Sequence, residues 1–285
     1  MQAGYRVLMP EVRTTSVVFA SPHSGRDYPP EMMRRTSLSE RAIRSSEDAF
    51  VDLLFDSAPV TGAPLITATV PRAYVDFNRS REELDPALIE GVRRASHNPR
   101  VSSGLGVIPR VVANGRPIYR GKLPRDEADR RLEQHWAPYH LGLETLLQES
   151  RALFGEAVLV DCHSMPHEAL ESVAHPGGLR PEIVIGDRFG ASASAELVDR
   201  IEAAFVDAGL VVVRNAPFAG AYSTQNYGRP GQNQHVVQVE IDRALYMDER
   251  TIRPNAGFAD LRERLTRIIA EVSDLGRPEL PLAAE

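Results

Sequence analysis

The chain has 285 residues, 42% of them apolar, and a formal net charge of −6. That length and apolar content supply a sizeable core and exclude a disordered chain. The acidic balance, with no basic run, argues against nucleic-acid binding. No apolar run reaches transmembrane length, so no membrane partner is expected. The first residues, MQAGYRVLMPEVRTTS, lack the apolar region and cleavage site of a secretory leader, and a cytoplasmic location is expected. Cys162 is the single cysteine. An intrachain disulfide and a thiolate-rich zinc site are thereby excluded, and any metal must rest on His, Asp and Glu. Lys122 is the one lysine, so a lone arginine in this sequence carries little functional weight by itself.

Residues 16–20 (SVVFA) read as a short apolar strand ending in the turn-rich SPHSG, 21–25. Residues 39–57 read as a helix or two helical pieces, with Phe50, Leu53 and Leu54 on one face. Glu47 and Asp48 precede that face, behind Ser45-Ser46, which could cap a new helix start. Acids there suit the helix dipole, and they also suit a metal. Residues 64–70 (PLITATV) form a strand. In the segment that follows, Tyr74, Asp76 and Asn78 alternate with Val75 and Phe77 as a half-buried strand would, between Arg72 and Arg79. Residues 81–100 read as loop with one short helix. Asn114-Gly115, between 106–113 and 116–120, is the strongest hairpin signal, and the hairpin suits a pocket wall.

Residues 124–150 have a helical pattern, with Pro124 in the first turn and Pro138 expected to end or kink the helix near Ala137. His135 and His140 within it read as packing residues. Residues 157–160 (AVLV) predict a strand buried on both faces, stopping at Asp161-Cys162-His163-Ser164. Strands are predicted at 182–186, 210–213 and 235–241, the last with Glu240 and Asp242 at its end. Helices are predicted at 192–209, closed by Gly209, and at 251–273. Residues 276–285 read as a loose tail. Strands alternate with helices throughout, which predicts one α/β domain over 1–285 with three α/β/α layers.

Two of these strands end in His-Ser, at His23 and His163. Either histidine alone reads as a turn or core residue. Two at the ends of neighbouring strands can converge, because loops leaving strand ends line a crevice in α/β sheets.

Several motifs, in order along nearly the whole chain, resemble the N-formylglutamate amidohydrolase family, which includes the deformylases of histidine breakdown. They are SPHSG at 21–25, ED-x-x-VD at 47–52, R-x-YVDFNR at 72–79, GLGVIPR with GRPIYR at 104–120, PYH at 138–140, DCHSMP at 161–166, NAPFAGAY with YGRP at 215–230, and QVEIDRALYMDE at 238–249. The resemblance implies a mixed-sheet fold like the zinc-dependent exopeptidases and metal-dependent hydrolysis of a small, anionic N-acyl amino acid. Three departures bear on the substrate. Ala221 replaces a second glycine, Gln225 stands where a basic residue is expected, and the acidic motif around Asp48 differs from a DTDW-like form.

An unactivated amide resists water at neutral pH, and zinc answers that by lowering the pKa of a water and polarising the carbonyl. Three protein ligands and an open position are the usual catalytic arrangement. His23 and His163 fill two places. Asp48 or Glu47 fills the third, Asp48 being the match to the family's acidic position. Another divalent metal would suit the same ligands. Glu240 is the best-placed general base. Asp161 and Ser164 flank His163 as supporting groups. Asn78 and Arg79 resemble the asparagine–arginine pair that grips the substrate α-carboxylate in zinc carboxypeptidases. Tyr222 is placed with them on the substrate side, and Arg72 suits the scissile carbonyl or a second carboxylate. Two rivals remain: another zinc hydrolase of this fold, such as an N-acyl amino acid deacylase or a peptidase, and a metal-free binding protein.

Overall fold

The structure, a computed structural model, describes residues 4–93, 98–171, 173 and 178–278. Its main sheet has seven strands: β1 (Tyr5–Leu8), β2 (Val17–Ser21), β3 (Leu65–Ala68), β4 (Ala157–Met165), β5 (Ile183–Gly186), β6 (Val212–Arg214) and β7 (Gln234–Asp242). Their order across the sheet is β1-β3-β2-β4-β7-β5-β6. β3, β2, β4 and β7 run parallel; β1 is antiparallel to β3, and β5 is antiparallel to β7 and parallel to β6. The sheet is therefore mixed, as expected.

Alternation along the central strands sorts side chains into two cores. Val158, Val160 and Cys162 of β4 point to one face with Val237, Val239 and Ile241 of β7. The helices α3 (Ala195–Asp207) and α4 (Phe258–Leu275) close that face. α3 starts at Ser194, whose side chain accepts from the Leu197 amide, and buries Leu197, Val198, Ile201, Ala204 and Phe205 on one stripe. Ala157, Leu159 and Val236 point the other way, under α1 (Arg125–Arg131) and α2 (Ala137–Phe154). Three layers result, and each fully buried Leu, Ile or Phe stabilises them by roughly 1.5–3 kcal/mol.

Several expectations change. β4 does not stop at Val160. It continues through Met165, because β7 pairs with it along its whole length, to Met165 opposite Asp242. Residues 71–80 form turns rather than a strand, yet Tyr74 to Arg79 are all buried. Pro138 does not end its helix. A wide π turn, Leu132–Trp136, directly precedes α2, and the Ala137 amide bonds the Leu132 carbonyl, so the missing proline N–H is absorbed there. Pro124 caps that helix rather than entering its first turn. Residues 39–57 take the second expected form, two helical pieces, Glu40–Ile43 and Val51–Leu54, separated by the tight turn Arg44–Ser46 and by Glu47 to Phe50. Only the expected Ser45 or Ser46 side-chain cap on the second is missing. The closing helix starts at Phe258, not at 251. β1 was not read from the sequence, since its four residues carry little pattern. The Asn114-Gly115 hairpin is present but short, Val111–Val112 pairing with Arg116–Pro117, and both turn residues have positive φ. Of the expected tail, 279–285 lie outside the described residues. Among the described residues, no helix is long and apolar enough to cross a membrane.

The SPHSG glycine has a packing reason. A Cβ on Gly25 would stand 2.0 Å from the Val70 carbonyl oxygen, so the His23 turn can lie against the end of β3 only without a side chain there. Gly25→Ala is expected to destabilise the protein by about 1–3 kcal/mol, the usual cost of overpacking, read as a lower urea midpoint at unchanged slope.

Candidate metal centre

β2 and β4 are parallel neighbours, with Ala20 opposite Asp161. His23, two residues past β2, therefore meets His163, near the end of β4, with ring centroids 4.7 Å apart. Asp48 comes from the extended piece between the two short helices. Its amide donates to the His23 carbonyl at 3.1 Å. Phe50, two residues on, sits at φ 68°, a strained value for a bulky residue, where the chain turns into the next helix. Asp48 Oδ2 lies 3.0 Å from His163 Nδ1 and 3.3 Å from His23 Nδ1, and the two Nδ1 atoms are 3.1 Å apart.

The outer nitrogen of each ring is held by another acid. His23 Nε2 donates to Asp76 Oδ1 at 2.7 Å, and His163 Nε2 lies 3.0 Å from Asp161 Oδ2. A carboxylate only accepts, so each ring keeps a proton on Nε2 and turns Nδ1 inward. This is the carboxylate–histidine pairing that orients metal-binding imidazoles.

Charge in the centre is unbalanced toward anions. Burial would raise the Asp48 pKa, but hydrogen bonds from His163 and His23 and the charges of His23 and Arg72 hold it well below the usual range. Burial likewise opposes ionisation of Asp76, and the charges of His23 and Arg72 overcome it. Burial would lower the His163 pKa, yet Asp161 and Asp48 push it well above normal. The acids thus favour a cation between the rings.

A metal fits the same place. Zinc bonds N and O at about 2.0–2.1 Å, and a tetrahedral shell of that size sets its ligand atoms roughly 3.3 Å apart. The three donor atoms, 3.0–3.3 Å from one another, match one face of that shell. Among the described residues, His23, Asp48 and His163 are the group found with metal-binding spacing.

The face opposite the buried ligands opens into a cavity of about 710 Å³. Glu240 lines it, directly across from His163 in the β4–β7 pairing. Gln238 Nε2 donates to Glu240 Oε1 at 2.9 Å. Burial, helped by the Asp48 charge and opposed by the charges of His163, Arg72 and Arg243, lifts the Glu240 pKa to about 7. The Asn114-Gly115 turn lines the same cavity, as a pocket wall should.

The other predicted site residues divide. Arg72 lines the cavity while bonding Asp76 at 3.0 Å and approaching Asp48 at 3.6 Å. Arg79 lines it too, its Nε donating to the Leu105 carbonyl at 3.0 Å. The Asn78 amide nitrogen lies 3.2 Å from Asp161 and 3.0 Å from His163, and its oxygen accepts from the Ser223 amide at 2.8 Å. Asn78 therefore braces the centre, with its amide already engaged. Ser164 bonds Arg243 and the Tyr246 hydroxyl. Glu47 separates from Asp48, turning away to Arg44 and the Tyr28 hydroxyl. Tyr222 packs its ring near Trp136 and His140, and Gly220 and Ala221 line the cavity instead.

Asp76 and Arg243 were missed as site residues. Asp76 sits inside the YVDFNR motif, and the alternation there drew it into a strand reading. Arg243, whose Nη2 donates to Asp48 Oδ1 at 3.0 Å, follows Glu240 in EIDR, where one arginine among many gave no signal.

Fold and site define an α/β protein with a buried two-histidine, one-carboxylate centre at the carboxyl edge of its sheet. A family model, N-formylglutamate amidohydrolase, matches residues 15–247. The chain is 32% identical over 261 residues to an N-formylglutamate deformylase of Pseudomonas aeruginosa, covering 90% of each. It is 30% identical to one of Pseudomonas putida, covering 82% of each. The crystal structure of N-formylglutamate amidohydrolase from Ralstonia eutropha JMP134 superposes with a TM-score of 0.90 at 33% identity, covering 96% of this chain and 99% of that one. The chain belongs to the N-formylglutamate amidohydrolase family.

Asp76 fixes the His23 ring without touching the inward donor atoms. Asp76→Asn is expected to weaken zinc affinity about 10–100-fold, measured by competition with a chromophoric chelator. Unchanged affinity would remove Asp76 from the support of His23.

Proposed function

We propose that the protein is a metal-dependent amidohydrolase that removes the formyl group from N-formylglutamate, giving formate and glutamate. The observation that carries the reading is the donor triangle of His23, Asp48 and His163, buried behind and open to a cavity in front. These residues would hold one zinc ion. When bound, such an ion lowers the pKa of a water and polarises an amide carbonyl. The family relatives named as deformylases supply the substrate, which would place the enzyme in histidine breakdown.

The chain's own groups do the rest. Glu240 takes a proton from the attacking water and passes it to the amine nitrogen as the C–N bond breaks. A base with a pKa near neutrality suits both transfers. Arg72 is fixed by Asp76 and Asp48, so it presents a preorganised positive charge to the carbonyl oxygen. Arg79 reads the substrate α-carboxylate. Among the described residues it has no acidic partner within bonding distance, and burial, with repulsion from Arg100 and Arg72, lowers its pKa, so an anion there is favoured.

His163→Ala is expected to abolish zinc uptake while the far-ultraviolet circular dichroism stays near wild type; full metal content in that variant would take His163 out of the centre. Glu240→Gln is expected to cut kcat by roughly 10²–10⁴-fold with zinc retained. Because the base must be ionised, wild-type kcat/KM falls as pH drops through the Glu240 pKa, and the variant lacks that limb. Activity within a few-fold of wild type would move the role to another carboxylate.

A further inference from the structure

Four arginines line the cavity: Arg72, Arg79, Arg100 and Arg243. Two are already neutralised. Arg72 pairs with Asp76 and Asp48, and Arg243 with Asp48 and Glu249. Arg79 and Arg100 have no acidic partner within ion-pair distance among the described residues. The two hang on one turn: the Leu105 amide donates to the Arg100 carbonyl at 2.8 Å, and the Leu105 carbonyl accepts from Arg79 Nε at 3.0 Å. Their charges repel, since Arg100 is among the groups that depress the Arg79 pKa. Arg79 is buried and Arg100 is exposed. Gln225, the position where a basic residue was expected, is exposed and is not among the lining residues.

We propose that Arg100 is a specificity-determining residue that binds a second carboxylate, on the side chain of the substrate, while Arg79 takes the α-carboxylate. This rests on the reading of the cavity as the site of N-acyl amino acid hydrolysis. The buried, unneutralised Arg79 guanidinium is costly as it stands, Arg100 beside it adds to the repulsion, and a dicarboxylate answers both charges at once. A neutral side chain leaves Arg100 with solvent, so the discrimination lies between charged and uncharged partners of equal size. The reader of the acidic side chain is thus on the 98–105 turn, and the glutamine in the late loop does not remove the second anion site.

The test uses the zinc-loaded enzyme and two substrates of equal size, N-formylglutamate and N-formylglutamine. Wild type, Arg100→Met, Arg100→Lys and Arg79→Met are compared by kcat/KM, with thermal midpoints as a folding control. Wild type is expected to prefer the acid. In Arg100→Met the acid-to-amide ratio falls roughly 10- to 100-fold, the range of one charge-assisted hydrogen-bonded contact, chiefly through KM, and Arg100→Lys restores part of it. Arg79→Met loses rate on both substrates and keeps the ratio. If wild type hydrolyses both and the ratio is the same in Arg100→Met, the assignment of Arg100 is overturned and the hydrolase reading stands. If wild type hydrolyses neither, the reading fails and the inference with it.

Discussion

Asp48, Asp76, Asp161 and Glu240 bring four buried carboxylates to one end of the sheet, around two imidazoles. Leaving a buried charge unpaired costs several kcal/mol, so this convergence dictates much of what surrounds it. Arg72 bridges Asp48 and Asp76, and Arg243 reaches Asp48 from the end of β7. Arg243 is itself aimed by Ser164, which Tyr246 bonds in turn. The serine of the second His-Ser pair and the DRALY run therefore serve one purpose: they place a cation behind Asp48 so that its other oxygen faces the rings.

The segment from Pro71 to Ser80 pays a second cost. It is irregular backbone buried in the core, where unbonded polar groups are expensive. Its partners come from outside any ladder. The Asp76 amide donates to the Val107 carbonyl at 2.8 Å, and Asp76 Oδ1 accepts from the Asn78 amide at 2.8 Å. Arg131, buried in the helix layer and stacked 4.0 Å over the Tyr74 ring, donates to the Tyr74 carbonyl; Trp136 Nε1 donates to the Arg79 carbonyl at 2.9 Å. Phe77 stacks on Tyr139 at 4.3 Å. The helix layer thus holds the segment rigid, and with it the three side chains that matter to the site: Asp76, Asn78 and Arg79.

The sequence disclosed what depends on short-range pattern. Apolar runs and alternation gave six of the main strands and the layer order, and the repeated His-Ser turn gave two members of the centre. Residues whose roles come from long-range pairing were hidden. Nothing local shows that β4 continues through DCHSM, because that follows from its partner β7. Nothing local separates Glu47 from Asp48, since the choice is made by Arg44 and Tyr28 on one side and His23 on the other. Tyr222 is expected on the substrate side, yet its ring finds Trp136 and His140.

The extension of β4 and β7 explains how one sheet carries both a core and a site. Ala157, Leu159, Asp161 and His163 lie on one face of β4, and Val236, Gln238 and Glu240 on the same face of β7. The first members are covered by the helix layer and the later ones face the cavity, so polarity changes along the strand without any change of register. The opposite face stays apolar through Cys162 and Ile241, packed on α3 and α4. The side chains at the site are therefore mounted on backbone whose other face is core, which limits their movement. The same geometry separates charge along the cavity. Acids concentrate at the strand ends, where a cation is drawn in, and the two arginines that have no acidic partner among the described residues meet at the 98–105 turn, Arg100 from within it and Arg79 through its bond to the Leu105 carbonyl. In a protein with a net charge of −6, general attraction cannot bring an anion to that place.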